Sequence, residues 1–552
     1  MIEKHWNSKI ITSLLYIVIS VFVIIELFLN LTPPISRDAL IHHLAIPKLW
    51  LMHGGFYEMP WASFSYYPMN IDLLYLVPLY FKNDIAPKFL HFAFGFGIGL
   101  LVYRYLGKRF GRNWGLLGFL IFFSTPVVVR LSTTAYVDLG MVFFTTASVL
   151  AWIKWQDGDY KYTKWLVLSA VCMGLAAGSK YNALIAWFFL NLMVVFYYSR
   201  DTKKGLQPVK YGVIFFVITL LVVSPWFIKN YIQTGNPLFP LFDHFFRFFH
   251  HAGRAGGAAA VTADSNWASS IFQRRGIMFG EGFWETFFVP LRIFFQGKDS
   301  SHQYFDGVLN PILIVMLPFA FLKRDYSRDK TFFLLFSAFF LLMACFLTII
   351  RVRYIMPIIP FMAILSVMGI RNLVGWADRL SRPAGHICII IISSITVILI
   401  AFNFLYLKDY FNTIKPARYV FHHETRDEFL TRNIGSYPAV KYINENLPDD
   451  ARIFFMFLGR RGYYLDRSYH YDSSFGMKTI TGMVKASKDR HDFHAYLKSL
   501  ECTHILIRTQ LFNKYLRDNF SEGAIGRFLH LAKEYWRPVY TSNGYAVMEL
   551  KK

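Results

Sequence analysis

The feature that most constrains this chain is a recurring apolar run. Eleven stretches of roughly 16 to 22 residues stand at 10–30, 85–106, 113–130, 136–153, 165–180, 183–199, 211–229, 304–322, 331–350, 354–370 and 386–407. About 20 apolar residues in a helix cross the hydrocarbon of a bilayer, where every backbone N–H and C=O must be bonded within the protein. The runs therefore predict a polytopic α-helical membrane protein with about eleven transmembrane helices. Composition agrees. Phe, Tyr and Trp number 57, 33 and 13, and hydrophobic residues make up 55% against 17% charged, where soluble domains average about 25% charged. One soluble core does not hide that much aromatic surface, so a disordered chain, a secreted disulfide scaffold and a cytosolic enzyme are excluded. Cys172, Cys345 and Cys388 fall in apolar runs and Cys502 stands alone; there is neither a disulfide framework nor a ligand-spaced pair.

The formal charge of +23 would suit nucleic acid if it formed one patch, but it sorts by loop. Segments 104–112, 154–164, 200–210, 323–330 and 371–382 hold 18 Lys and Arg in 51 residues. Segment 31–83 holds only Arg37, Lys48 and Lys82 in 53 residues. Short basic loops stay on the cytoplasmic face, so the charge sets topology and no nucleic-acid partner is expected. The first run follows Lys4 and Lys9, is too long for a signal-peptide core and lacks a small-residue cleavage site. It reads as an uncleaved helix with a cytoplasmic N-terminus, and an odd number of spans then puts the C-terminus outside. The expected location is the cell inner (cytoplasmic) membrane, multi-pass, with the C-terminal domain periplasmic or extracellular.

Two outer loops are large. Segment 31–83 contains an amphipathic stretch from Arg37 to His53, and 230–303 contains the run HHAGRAGGAAAVTADS. Loops of that length are functional or disordered. The apolar pieces 69–81 and 283–296 are too short to span and are expected along the outer interface, or dipping in and returning. No internal repeat is visible, which argues against a two-fold transporter.

After Leu407 the composition becomes that of a soluble module, dividing the chain into 1–407 and 408–552. Ser436–Tyr437–Pro438 reads as a helix start running to Leu447, with Ser436 as cap and Pro438 in the first turn, where a missing N–H costs nothing. ARIFFMFLG (451–459), THILIR (503–508) and GYAVMEL (544–550) read as strands separated by helical stretches such as 492–501. The expectation is a small α/β domain abutting the membrane on its outer side.

Ionisable groups in or at the ends of membrane helices are costly and are functional candidates for that reason. On the outer side these are Arg37, Asp38, His42, His43, Arg130, Asp138, Lys180, Lys229, Arg351 and Arg353. Two carboxylates among cations on one face point to an anionic lipid ligand and to base chemistry. Each group also has a plainer reading. Asp38 opens the helical stretch DALIHHLAIPKLWL and can serve as its N-cap. His42 lies one turn on, where it can hold or tune that carboxylate, or sit with His43 at the interface. Asp138, in TTAYVDLGMVFF, can cap its helix or face a polar cavity, and Lys180, in LAAGSKYNAL, can snorkel to headgroups. Arg351 and Arg353, in RVRYIMPIIP, suit phosphate, which a guanidinium grips with a planar fork, or anchor to headgroups.

Four segments taken in order carry a resemblance: SRDALIHHLAIPKLWLMHGG with YYPMNIDLLYL; AYVDLGMVFF; SPWFIKNYIQTGNPLFP; and RVRYIMPIIPFMAIL. A fifth, ARIFFMFLGRRGYYLDR followed by THILIR, extends it. The set resembles the bacterial GT-C-fold glycosyltransferases that use polyprenyl-phosphate sugars, the group (glycosyltransferase family 39-like) of the protein O-mannosyltransferases and the aminoarabinose transferase of lipid A. The resemblance implies a GT-C-like membrane domain with an appended outer domain. It implies Asp38 as catalytic base and Asp138 as the second acidic position, with Arg353 and Lys180 near the lipid phosphate. His42, His43 and Arg351 complete the expected substrate-binding set. The family often has an acidic pair where this chain has Asp38–Ala39. Implied partners are a polyprenyl-phosphate-linked sugar donor, a glycan, lipid or protein acceptor, and membrane lipid. No cofactor is certain; a divalent metal held by Asp38 and Asp138 is left open, with no spacing that supports it.

The chemistry suits these residue types. A sugar on a lipid phosphate has a leaving group that departs as a stable anion, so the protein must supply a base for the acceptor hydroxyl and cations for the phosphate. Direct displacement inverts the anomeric centre. Two other readings share these features. One is a transporter or flippase of a lipid-linked saccharide. The other is a lipid-linked oligosaccharide ligase with a pyrophosphate donor, using Arg254, Arg274, Arg275 and His302. One-sided loops, the appended domain and the missing repeat favour the transferase.

Overall fold

In the computed structural model, which describes Trp6 and residues 8–243, 245–246, 270–347 and 350–551, the apolar runs become helices wherever proline leaves them intact. Helix α1 (Lys9–Asn30) starts on Ser8, whose hydroxyl accepts from the Ile11 N–H. The first loop carries α2 (Ala45–His53) and α3 (Asn70–Tyr80). Then come α4 (Ala86–Phe110), α5 (Arg112–Phe123), α6 (Pro126–Ser132), α7 (Asp138–Asp157), α8 (Thr163–Ala177), α9 (Ala183–Thr202) and α10 (Gln207–Thr234). Helices α11 (Ser327–Leu347), α12 (Ile359–Ala377) and α13 (Arg382–Ile414) complete the bundle. Among the described residues, seven helices are long and apolar enough to cross a membrane, or eight if α5 and α6 form one bent span. Helix α13 leaves Ile387, Ile390, Ile391, Val397, Ile398 and Leu405 exposed. A continuous apolar surface of that kind requires lipid against it. The chain is a multi-pass membrane protein.

Two expected spans are not single helices. Segment 113–130 bends by 72° between α5 and α6; Pro126 lacks a donor and pushes Thr125 out of helical backbone, to ψ 129°. Segment 304–322 forms only Ile312–Val315 and Pro318–Leu322, because Pro311 and Pro318 cannot donate into a continuous ladder. This broken segment lies flush on α12 at Gly369, where a Cβ would stand 2.1 Å from the Met316 carbonyl oxygen. The short apolar pieces fold along the bundle. Helix α3 buries Ile71, Asp72 and Tyr75 and exposes Leu74, Val77 and Tyr80, and its Asn70 N–H donates to the Gly178 carbonyl at 2.9 Å. Segment 283–296 forms the helices Phe283–Phe287 and Val289–Arg292 with Phe283, Trp284, Phe287 and Phe288 exposed. The Gly/Ala-rich run at 250–265 lies outside the described residues.

The basic segments meet at one end of the bundle. Arg109 pairs with Asp329 at 3.0 Å and with Asp157 at 3.6 Å, Arg328 with Asp201 at 2.6 Å, and Arg371 with Asp325 at 3.0 Å. Helix α7 runs from this end, at Asp157, to the other, at Asp138.

The C-terminal module is a five-stranded sheet with helices. Its strands are β1 (Arg452–Met456), β2 (Ser468–His470), β3 (His504–Arg508), β4 (Trp536–Ser542) and β5 (Tyr545–Leu550), in the order β2-β1-β3-β5-β4. β1 pairs in parallel with β2 and β3, while β5 runs antiparallel to β3 and β4. β2 and β4 had no counterpart among the expected strands: β2 has three residues, and β4 carries Pro538 and an irregular register. Ser436 occupies the cap position of α14 (Tyr437–Asn446), but its side chain makes no capping bond.

This module is fused to the first loop. Val440, Ile443, Phe455, Leu465 and Tyr469 share one apolar core with Ile46, Trp50 and Met59. The Tyr463 N–H donates to the Leu40 carbonyl at 3.2 Å, and the Tyr464 hydroxyl to the Pro34 carbonyl at 2.7 Å. Lys48 donates to the carbonyls of Tyr463 and Leu465 at 2.8 and 2.9 Å and to the Asp466 carboxylate at 2.6 Å.

Candidate active site

Pro33 and Pro34 stop the chain from continuing α1. It turns back through one wide helical turn, Ala39–His43, in which the Leu44 N–H reaches the Ala39 carbonyl, five residues back, at 2.9 Å. Such widened turns occur often at functional sites. Asp38 precedes the turn, yet its carboxylate makes no capping bond. The cap reading gives way to an ion pair: Asp38 Oδ2 lies 2.5 Å from Arg353 Nη1. The Asp38 N–H donates to the Tyr136 hydroxyl at 3.1 Å, which fixes the backbone. Burial by itself raises the Asp38 carboxyl; Arg353, with His42 and His43 behind it, more than reverses this and holds the group far below the usual carboxylate range.

Arg353 sits in a tight turn at Val352–Ile358, just before α12. The Val352 N–H donates to the Phe305 carbonyl at 2.7 Å. That approach requires Gly307, where a Cβ would stand 2.7 Å from Val352 Cβ. In the same loop Ser300, Phe305 and Asp306 hold positive φ of 61°, 67° and 40°, a conformation that costs about 1–3 kcal/mol per L-residue and clusters at functional sites. The loop presents Asp299 and Asp306 to Arg130, at 2.7 and 3.2 Å. Arg351 lies 3.8 Å from Asp306 and 3.2 Å from His302 Nε2.

Asp138 opens α7 and is fully buried; Lys180 Nζ contacts its Oδ1 at 2.6 Å. Lys180 stands in the turn between α8 and α9, its N–H bonded to the Ala176 carbonyl at 3.1 Å, and its ammonium faces the Tyr354 ring at 5.6 Å. It does not snorkel. Asp138 Oδ2 has no partner among the described residues. His91 braces the helix start. Its Nδ1–H is shared by the Leu131 and Thr134 carbonyls at 2.8 and 2.9 Å, so Nε2 accepts the Leu139 N–H at 2.9 Å.

His42 and His43 lie behind Asp38, not at an interface. His42 stacks on Phe64 at 4.3 Å and lies tilted by 49° against His43 at 4.0 Å. His43 is buried, with Nδ1 2.7 Å from Asp72 Oδ1. Burial pulls His43 down to about 3, against the opposing pull of Asp38 and Asp138, and burial raises Asp72 well above its ordinary value. His43 is therefore neutral at physiological pH. An unfolded histidine titrates near ~6.5, so the unfolded chain binds the extra proton first. Stability contributed by neutral His43 is whole above that pH and is lost as pH falls from about 6.5 toward 3. The raised Asp72 carboxyl acts with the opposite sign, so the His43 contribution is read as a difference: the melting temperature of detergent-solubilised wild type is expected to fall relative to that of His43→Gln between pH 7 and pH 5. The same change in both proteins would refute the assignment.

A cavity of about 350 Å³ opens between these elements, and Asp38, Arg130, Tyr136, Asp306, Arg351 and Arg353 line it together with Arg37, His302 and Arg461. Of the expected residues, Asp38, Arg351 and Arg353 face it directly. Asp138 and Lys180 form a buried pair alongside, coupled to it through Tyr354, and the two histidines form a layer behind. Tyr136, Asp306 and Arg461 were not foreseen as site residues; the doubled arginine between glycines in GRRG was the available signal for Arg461. Of the four groups weighed for a ligase, His302 joins the cavity. Arg275 is committed to Glu281 at 2.6 Å and to the Gln303 carbonyl at 2.8 Å, and Arg254 lies outside the described residues. Guanidiniums dominate the lining, a donor set suited to an anion. Asp38 and Asp138 are each engaged by a cation. Among the described residues, the grouping with metal-ligand spacing is Asp489, His491 and Asp492, exposed on the C-terminal module.

The family model described as dolichyl-phosphate-mannose-protein mannosyltransferase matches residues 55–236. The fold is that of ArnT from Cupriavidus metallidurans: its apo structure aligns with TM-score 0.55 at 14% identity, covering 97% of this chain and 98% of that one. The same protein bound to undecaprenyl phosphate aligns with TM-score 0.54 at 14% identity, with the same coverage. An Archaeoglobus fulgidus oligosaccharyltransferase structure aligns with TM-score 0.53 at 12% identity, covering 96% of this chain and 73% of that one. No curated protein matches the chain significantly in sequence.

Proposed function

Starting from a multi-pass membrane glycosyltransferase of the GT-C fold, we propose that this chain moves a sugar from a polyprenyl-phosphate carrier to an acceptor hydroxyl, with Asp38 as the base. The observation that carries the reading is the 2.5 Å contact of Asp38 with Arg353 on the wall of a guanidinium-lined cavity. It sets a base beside a cation able to receive a leaving phosphate. A solved relative of the same fold binds undecaprenyl phosphate, which supports the choice of carrier.

In this reading the acceptor oxygen attacks the anomeric carbon while Asp38 takes its proton, and the bond from that carbon to the phosphate oxygen breaks with inversion. The electron pair leaves on the phosphate, and Arg353 and Arg351 neutralise it. Paired with the guanidinium, the Asp38 carboxylate is held ionised, the form a base needs. Asp138 and Lys180 hold Tyr354 and the start of α7 in place beside it. We read the end bearing the site as periplasmic or extracellular and the basic end as cytoplasmic, by the positive-inside rule. We read 408–552 as an outer domain seated on 1–407.

The test compares envelope glycans and polyprenyl lipids by mass spectrometry in a strain lacking the gene and in the complemented strain. Loss of one sugar mass with accumulation of sugar-loaded carrier is expected. An unchanged glycan profile and carrier pool would overturn the transferase reading.

A further inference from the structure

The cations of the cavity divide into two sets. Arg130, Arg351 and Arg353 each meet a carboxylate of this chain. Arg37 and Arg461 make no hydrogen bond or ion pair with the described residues, and both line the cavity that holds Asp38. Arg461 is half-buried, with its Nε sealed from solvent and unbonded. Burial, and after it the positive Arg37 nearby, pull the Arg461 guanidinium below its ordinary value. A half-buried guanidinium with no counter-charge and a second positive group nearby is costly unless an anion joins them.

The placement is specific. Arg461 belongs to the C-terminal module, and the segment just after it is the one fastened to the first loop: Tyr463 to Leu40, Tyr464 to Pro34, and Lys48 to Tyr463, Leu465 and Asp466. Leu40 is two residues from Asp38, and Tyr463 is two residues from Arg461. The neighbouring Arg460 points elsewhere. It bonds the Ser473 carbonyl and stacks on Phe475 at 4.4 Å and Tyr471 at 5.4 Å, inside its own module.

We infer that the C-terminal module contributes a substrate-binding residue, Arg461, which with Arg37 grips the phosphate of the lipid-linked donor in the cavity that Arg353 also lines. The inference rests on the transferase reading and deepens it. In that reaction the donor phosphate is charged whatever the acceptor is, and it gains negative charge as the sugar departs, so it is the group that uncompensated arginines suit. The two sets of cations lining one cavity would hold it beside Asp38.

The experiment measures binding of undecaprenyl phosphate to the full-length protein in nanodiscs, by isothermal titration, for wild type, Arg461→Gln, Arg461→Lys, Arg37→Gln, Arg460→Gln and Asp38→Asn. Arg461→Gln and Arg37→Gln are each expected to weaken binding by about 10- to 100-fold, Arg461→Lys by less, and Arg460→Gln and Asp38→Asn not to weaken it. Arg37 is exposed, so its variant reports on the site even if Arg461→Gln disturbs docking. Wild-type binding matched by both Arg461→Gln and Arg37→Gln would overturn this inference and leave the transferase reading standing. Absence of binding by wild type would overturn both.

Discussion

Asp38→Asn is expected to lower the rate of sugar transfer by about 10²- to 10⁴-fold, the range a positioned general base contributes, while undecaprenyl phosphate still binds. The substitution keeps shape and removes only charge and basicity. Tyr136 still receives the Asp38 N–H, because that bond uses backbone. Arg353 loses its internal counter-ion and becomes more available to phosphate, so donor affinity holds or rises. A combination of lost turnover and undiminished affinity separates a base from a binding residue. Asp38→Glu is the informative companion: it restores the charge but moves the carboxylate by one methylene, and recovers little activity if the geometry of proton removal matters. Turnover by Asp38→Asn within tenfold of wild type would remove Asp38 from the mechanism.

The second large effect is on stability. Lys180→Met leaves Asp138 fully buried and without its cation. Breaking a buried pair by removing one partner costs about 3–5 kcal/mol, whereas replacing both partners by neutral groups can be nearly without cost. The single variant is therefore expected to melt markedly lower or to accumulate poorly, and Lys180→Met with Asp138→Asn to recover much of the loss. Activity is expected to stay low in the double variant, because Lys180 also faces Tyr354, next to Arg353. A Lys180→Met variant as stable as wild type would show that Asp138 is solvated or protonated in place.

How much of this was legible in the sequence depends on whether the signal was local. The apolar runs announced helices because lipid on the outside and packing on the inside both favour apolar residues. Their breaks were harder to see: Pro126 and Pro311 sit within runs that are apolar on average, so hydropathy alone joins pieces that backbone chemistry separates. Asp38 was identifiable as a candidate, but its neighbour in space, Arg353, is 315 positions away, and only the fold decides between a helix cap and an ion pair. Lys180 and Asp138 show the same limit. Each had a plausible solitary role at a membrane edge, and each was resolved by the other. His43 looked interfacial because its partner, Asp72, lies in an apolar piece too short to span.

The fastening of the C-terminal module to the first loop has a consequence for biosynthesis. The wall around Asp38 is built from residues near the start of the chain, from the turn before α12, and from the segment at Arg461 that reaches back to Leu40 and Pro34 across more than 400 positions. The first-loop side of the pocket thus emerges from the ribosome more than 400 residues before the segment that closes it. Until the sheet has folded and settled on the first loop, the cavity lacks one side and its two unpaired guanidiniums are not yet together. Assembly of this pocket is thereby coupled to folding of the C-terminal module, and insertion of the helices alone does not complete it.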